Sequence, residues 1–191
     1  MAFFVSGIPM ALTATIRKAE LQISDMDRGY YATHNLTLAQ HPSETDERLM
    51  VRMFAFVLNA ADRLEFGKGL STEDEPDLWE HDYTGDIEQW IDLGHPDESR
   101  VRKACNRSKR VQVVNYGGNA SDIWWTKQGK HLQRHDNLSV VDLEAGFVEQ
   151  LGAQIQRMMR FSVLIQDGEV QLLNDHIQLE VIPAWRKRAA E

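Results

Sequence analysis

Polar and apolar residues alternate along residues 12–24 (LTATIRKAELQIS) and again along 31–39 (YATHNLTLA), with residues 26–29 between them as a turn. A period of two is that of a strand with one covered face, so this stretch reads as a β-hairpin. The period then lengthens to that of a helix. Residues 41–61 read as the first helix, with Pro42 in its first turn and the acids Glu44, Asp46 and Glu47 at the positive end of its dipole. Leu49, Met50, Met53, Phe54, Val57, Leu58 and Ala61 form its apolar face, and Arg48, Arg52 and Asn59 fall on the opposite side, expected in water. Glu47 does not join them, because it points into the apolar arc between the directions of Phe54 and Leu58. A carboxylate there is costly unless it is paired, hydrogen-bonded or bound to a metal. Alternatively its head reaches water at the helix end, and the pattern does not choose between the two.

Short strands follow at 64–66, 76–81 and 86–94. In the last of these Ile87, Gln89, Ile91 and Leu93 share one face, and Glu88, Trp90, Asp92 and Gly94 share the other. Residues 96–108 read as a helix with Val101, Ala104, Cys105 and Ser108 as its packing stripe, and 111–116 as a buried strand. A helix over 121–128 carries Trp124 and Trp125, at least one of which belongs in the core because adjacent helical residues point 100° apart. A strand at 138–143 is followed by a helix over 144–158 with Phe147, Val148, Leu151, Ile155 and Met158 in line. Residues 161–166 and 169–173 flank Asp167-Gly168, a hairpin turn signal, and 177–182 is a further strand. The whole is an α/β (α+β) chain: residues 1–9 as a flexible extension and residues 10–191 as one domain.

Composition narrows the class. With 42% hydrophobic and 26% charged residues the chain can bury a core and is not a disordered one. No apolar run is long enough to span a bilayer, and no Lys or Arg precedes Arg17 to start a secretory signal. The single cysteine, Cys105, excludes an internal disulfide and suits a reducing cytoplasm, where it reads as a small helical side chain rather than a nucleophile. A net charge of −8 counts against a protein that coats duplex DNA, so nucleic-acid contact here must be local or metal-assisted. The charge is also unevenly placed. Residues 69–99 hold eleven acids and no Lys or Arg, whereas residues 100–110 hold Arg100, Arg102, Lys103, Arg107, Lys109 and Arg110 and no acid. Such blocks form either a self-neutralising surface, the better reading on charge alone, or a carboxylate metal site beside phosphate-holding cations.

The order in the middle of the chain is helix, three strands, helix, strand. Acids sit on the first helix, after Pro76 at the start of one strand (Asp77), and near the end of the next (Asp92). Hard carboxylate oxygens suit Mg²⁺ or Mn²⁺, a metal-held water can attack phosphorus, and a cation can stabilise the developing charge.

Longer strings carry a more specific signal: ALTATIRKAEL near Met10, LTLAQHPSETDERLMVRM at 36–53, DEPDLW at 74–79, WIDLGHPDESRVRKAC at 90–105, DIWW at 122–125 and IQDGEVQL at 165–172. These resemble the YaeQ family over nearly the whole chain, from about Met10 to Trp185. The resemblance implies a compact variant of the PD-(D/E)XK, restriction-endonuclease-like mixed sheet, with added N- and C-terminal β-hairpins and an activity largely undescribed. It implies Glu44 and Glu47 as helix acids, Asp77 as the acid of Pro-Asp and Asp92 as the second strand acid, together holding Mg or Mn. The lysine that the pattern places two residues after Asp92 is Gly94 here, which leaves Arg100 or Lys103 to hold phosphate. Three readings follow: a Mg-dependent nuclease; a catalytically inactive module of that fold binding nucleic acid or a protein partner, slightly favoured by Gly94 and the net charge; and an interaction protein whose acids are only solvated. The sequence is silent on oligomeric state. His131 and His135 have the i, i+4 spacing of a zinc pair but lack an evident third ligand, so they read as a polar loop.

Overall fold

Two sheets enclose one helix. The computed structural model describes residues 13–68 and 74–190, so the extension expected over residues 1–9 lies outside them. Strands β1 (Thr15–Asp25) and β2 (Tyr30–Gln40) form the hairpin that the alternation predicts, paired antiparallel from Thr15↔Gln40 to Asp25↔Tyr30. β8 (Met158–Gln166), β9 (Glu169–Leu173) and β10 (Gln178–Val181) complete the first sheet, in the order β10-β9-β8-β1-β2. β1 and β8 run parallel, which only a long connection can achieve, and the second sheet is that connection.

The second sheet has the order β11-β7-β6-β5-β4-β3, from β3 (Leu64–Phe66), β4 (Leu78–His81), β5 (Ile87–Leu93), β6 (Ser108–Asn115), β7 (Leu138–Asp142) and β11 (Ala184–Lys187). Its centre, β5-β6-β7, is parallel, and helices α2 (Glu98–Arg107) and α3 (Asn119–Leu132) make the two crossovers. Both helices cover one face, where Trp90, Val101, Val111, Val113, Trp124, Leu132 and Val140 form a core. Trp124 is inside it, and its indole N–H donates to Pro96 O at 2.7 Å. The other face packs on α1 (Asp46–Asn59), α4 (Ala145–Gly152) and the first sheet, in a larger core that includes Leu21, Ile23, Phe54, Leu78, Ile91, Val141, Phe147 and Phe161.

That sandwich overturns one expectation. Because α1 is covered on both sides, Arg52 is only 2% exposed and Asn59 is buried, instead of facing water. Helix α1 also starts later than the pattern suggested, at a Thr45 cap whose hydroxyl accepts from Arg48 N–H. α4 stops at Gly152 rather than continuing to Met158, because residues from Met158 onward pair with β1 and the β-sheet register takes over. Strand β11 lies beyond the last strand that the pattern predicts: its Ala-Trp-Arg-Lys sequence has the charge of a solvated basic tail, yet it pairs antiparallel with β7 at the sheet edge. His131 is exposed at the end of α3 and His135 lies beyond it, and no cluster of three metal-ligating side chains forms among the described residues.

Candidate functional site: an acid cluster closed by arginines

Leu78 on β4 pairs with Ile91 on β5, so Asp77 and Asp92 are the next residues along the two neighbouring strands, at the C-terminal end of β5. Asp77 is held there by its surroundings. Gly67 N–H donates to Asp77 O at 2.9 Å, and a Cβ on residue 67 would stand 2.0 Å from Pro76 O, a close approach only glycine permits. Asp77 Oδ2 accepts Leu93 N–H at 2.8 Å, which ties the head of β4 to the end of β5. Glu44, just before α1, is buried at the same end, and Asp92 is 2% exposed.

The cations come largely from residues expected in water. Arg48 bridges two acids, Nη1 donating to Glu44 Oε1 at 2.7 Å and Nη2 to Asp77 Oδ1 at 2.5 Å. Arg52, one turn on, donates to Glu44 Oε2 at 2.9 Å and to Ala39 O at 2.8 Å, with its guanidinium 5.7 Å from the Phe66 ring centre. Arg100 on α2 grips Asp92 with two hydrogen bonds of 2.8 Å, from Nε to Oδ2 and from Nη2 to Oδ1, and also donates to Glu75 O at 3.0 Å. The spacing Glu44, Arg48, Arg52 puts all three on one helical stripe, and this was the signal that could have found the pair of arginines.

The remaining candidates lie apart. Glu47 is exposed, and its Cγ packs over Gly152 of α4, so its carboxylate does not join the other three. Lys103 pairs with Asp74, and Arg107 donates to Asp74 O, so the basic face of α2 clasps the acidic lead-in to β4. Gly94, in the lysine position, has φ +83°, a backbone state that L side chains rarely adopt. A lysine there would carry strain as well as charge.

Burial dominates the electrostatics. It pushes the Asp92 carboxyl above its ordinary value, against the Arg100 guanidinium, which pulls it down. It lowers Arg52 in the same way, against Glu44. For Arg48 burial opposes the charge, but Asp77 and Glu44 outweigh it and the pKa rises. Arg100 also rises on balance, because Asp92 faces it in both hydrogen bonds. The two hydrogen bonds between Asp92 and Arg100 have the two-point geometry of a guanidinium–carboxylate pair.

A divalent metal does not fit this arrangement. All six oxygens of Glu44, Asp77 and Asp92 accept a hydrogen bond from a guanidinium or an amide. Three arginines already balance three carboxylates, so no excess negative charge is left to repay the dehydration of Mg²⁺.

A model of the family described as YaeQ protein matches residues 10–183. The chain is 42% identical over 180 residues to the uncharacterized protein YaeQ of Salmonella typhi, and 41% identical to that of Escherichia coli (strain K12), covering 93% of this chain and 99% of each relative. The YaeQ protein from Xanthomonas axonopodis pv. citri, at 64% identity, superposes with a TM-score of 0.90 over 94% of this chain and 100% of that one. The YaeQ protein from Pseudomonas syringae does so at 33% identity and a TM-score of 0.88, over 92% and 97%. On sequence and on fold together, the chain belongs to the YaeQ family.

Proposed function

We propose that the chain is a catalytically inactive module of the PD-(D/E)XK, restriction-endonuclease-like superfamily that binds nucleic acid in the cytoplasm. The observation that carries the reading is the neutralised acid cluster: Glu44, Asp77 and Asp92 stand at one end of the sheet, and arginines occupy the room between them. The cluster then acts as a structural lock, joining α1, the lead-in to β4, the end of β5 and α2. Gly94 supports the same conclusion, since neither charge nor backbone suits a lysine there. Nucleic acid is favoured over a protein partner by Arg102 on α2 and Arg110 on β6, which are exposed and have no ion pair among the described residues, whereas Arg107 and Lys109 are already paired with Asp74, Asp82 and Glu88. The net charge of −8 confines phosphate contact to such a patch.

The enzyme reading retains one favourable observation: Asp77 and Asp92 stand side by side at the carboxyl end of β5, with Glu44 linked to Asp77 through Arg48, although they form no three-ligand cluster among the described residues. It would have Glu44, Asp77 and Asp92 holding Mg or Mn and Arg100 or Lys103 holding phosphate. A cleavage assay separates the two. Single- and double-stranded DNA and RNA are incubated with the full chain in Mg²⁺ or Mn²⁺, beside Asp92→Ala, and Mn²⁺ binding is followed by calorimetry. The expected result is no cleavage above the Asp92→Ala background, no saturable Mn²⁺ heat, and salt-sensitive binding of at least one nucleic acid. Cleavage that vanishes in Asp92→Ala would install the nuclease instead, and absence of binding to every nucleic acid would turn the reading to a protein partner.

A further inference from the structure

At the opposite end of the second sheet a cleft of about 690 Å³ opens between the two sheets, beyond the C-terminus of α1. That size is ordinary for a small-molecule site. Its floor is three amides in series. Asn59 Nδ2 donates to Ala55 O at 2.8 Å and to Gln112 Oε1 at 2.6 Å, and Asn59 Oδ1 accepts from Gln89 Nε2 at 2.7 Å. One backbone carbonyl sets the polarity of the whole series. Ala55 O can only accept, so Asn59 must present its NH₂ there; Gln112 must then present its oxygen to Asn59, and Gln89 its nitrogen. What remains is a donor, Gln112 Nε2, and an acceptor, Gln89 Oε1, on adjacent strands β6 and β5. Both side chains line the cleft, and neither leftover atom has a hydrogen-bond partner among the described residues, although Gln112 is only 7% exposed.

The walls add two further features. Trp185 lines the cleft from β11, 37% exposed, with the Arg188 guanidinium 4.4 Å from its ring centre. Arg110 is the register partner of Gln89, is exposed, and has no ion pair among the described residues. The acids on this floor and lip are engaged: Glu80 with Arg63 at 3.3 Å, Asp25 with Arg28 at 2.5 Å, and Asp27 with the N–H groups of Asp167 and Gly168. Asp167 also lines the cleft, and Arg110 is a cation there with no carboxylate paired to it among the described residues, available to an anion.

We infer that this cleft is a nucleotide site, in which Gln112 and Gln89 meet the edge of a base, Trp185 offers a ring to stack on, and Arg110 holds phosphate. Every common base carries a donor beside an acceptor on its Watson–Crick edge, so the amide pair recognises the class and leaves the base open. The site is separate from the acid cluster; it shares Arg110 with the basic patch of the proposed function and deepens that reading, and the nucleoside, which such a patch alone would not hold, tells the two apart.

The test is a calorimetric titration of the full chain with AMP, GMP, CMP and UMP, with the corresponding nucleosides, and with a short oligo-dT. Saturable binding of a mononucleotide indicates a free nucleotide as ligand; saturable binding of the oligonucleotide alone indicates a base of a strand when Trp185→Ala weakens it, and binding untouched by Trp185→Ala belongs to the basic patch and counts against the site. Arg110→Ala should weaken the phosphate-bearing ligand about tenfold and leave the nucleoside unchanged, as loss of one charge-assisted hydrogen bond requires. Gln112→Glu, which keeps the acceptor that Asn59 needs but removes the free NH₂, should weaken both by about tenfold. Trp185→Ala and Arg110→Ala alter exposed side chains, so they remain informative if Gln112→Glu unfolds the chain. Asp92→Ala should leave this binding intact, which keeps the result independent of the acid cluster. No saturable binding to any probe, or binding indifferent to Arg110→Ala and Trp185→Ala, overturns the inference.

Discussion

Asp92 and Arg100 show how single side chains decide this chemistry. The Asp92 side chain is 3% exposed and Arg100 closes both of its oxygens, so removing the arginine leaves a buried charge with no counterion. Arg100→Ala should cost about 3 kcal/mol in a denaturant titration, and Asp92→Asn on the same background should recover part of it. Equal stability of Arg100→Ala and the parent would mean that water reaches Asp92 and that the lock is not one. Cys105 is a second instance. Burial pushes its thiol up to about 11, so at neutral pH it is almost wholly protonated and a poor nucleophile. Alkylation of the native chain should run at least about tenfold slower than that of the unfolded chain, and Cys105→Ala should fold normally. Rapid native alkylation would contradict the purely structural place that its position on α2 suggested.

Among the elements, β4 is the one whose placement depends on its neighbours. It has four residues, and its lead-in is fixed by Gly67 just after β3, by Leu93 N–H from β5, and by Arg100, Lys103 and Arg107 from α2. A methyl group on residue 67 would collide with the backbone of Pro76, which a rotamer change cannot relieve. Gly67→Ala should therefore destabilise by about 2 kcal/mol, read as a lowered denaturation midpoint, and should loosen Asp77 as well. An unchanged midpoint would show that the 74–77 segment can move away without loss. The alternation of acidic and basic blocks along the chain now has a physical account: the basic helix α2 folds back over the acidic strand lead-in, and each neutralises the other.

For the whole molecule, three histidines in separate places act in the same direction. His34 on β2, His95 before α2 and His135 after α3 are all lowered from their ordinary 6.5, each chiefly by burial. A histidine held neutral in the folded state binds fewer protons there than in the unfolded chain. Stability therefore rises with pH across the interval between the lowered value and 6.5, and is lost as pH falls through it. The thermal midpoint should drop between about pH 7 and about pH 5, and His34→Gln with His95→Gln should flatten that slope. A midpoint constant over this range would mean that the rings stay hydrated.

Local periodicity was enough for most of the elements. The β1–β2 hairpin, the three short strands, the turn at Asp167-Gly168 and the helix of Val101 and Ala104 all follow from spacing, because strand and helix periods are properties of neighbouring residues. The resemblance singled out Glu44, Glu47, Asp77 and Asp92 as acids to consider, and only the structure separates the exposed Glu47 from the three that arginines pair. What periodicity could not give is what lies on each side of an element. Arg48, Arg52 and Asn59 look like the wet face of an amphipathic helix until a second sheet covers that face, and then they become the cations of the acid cluster and the hub of the amide series. The short basic β11 becomes a strand only because β7 offers it an edge. The sequence determined which charges the chain carries and which segments could be strands or helices; the packing of two sheets around α1 decided which charges are buried, which partners they find, and whether three carboxylates stand open to a metal or closed by arginines.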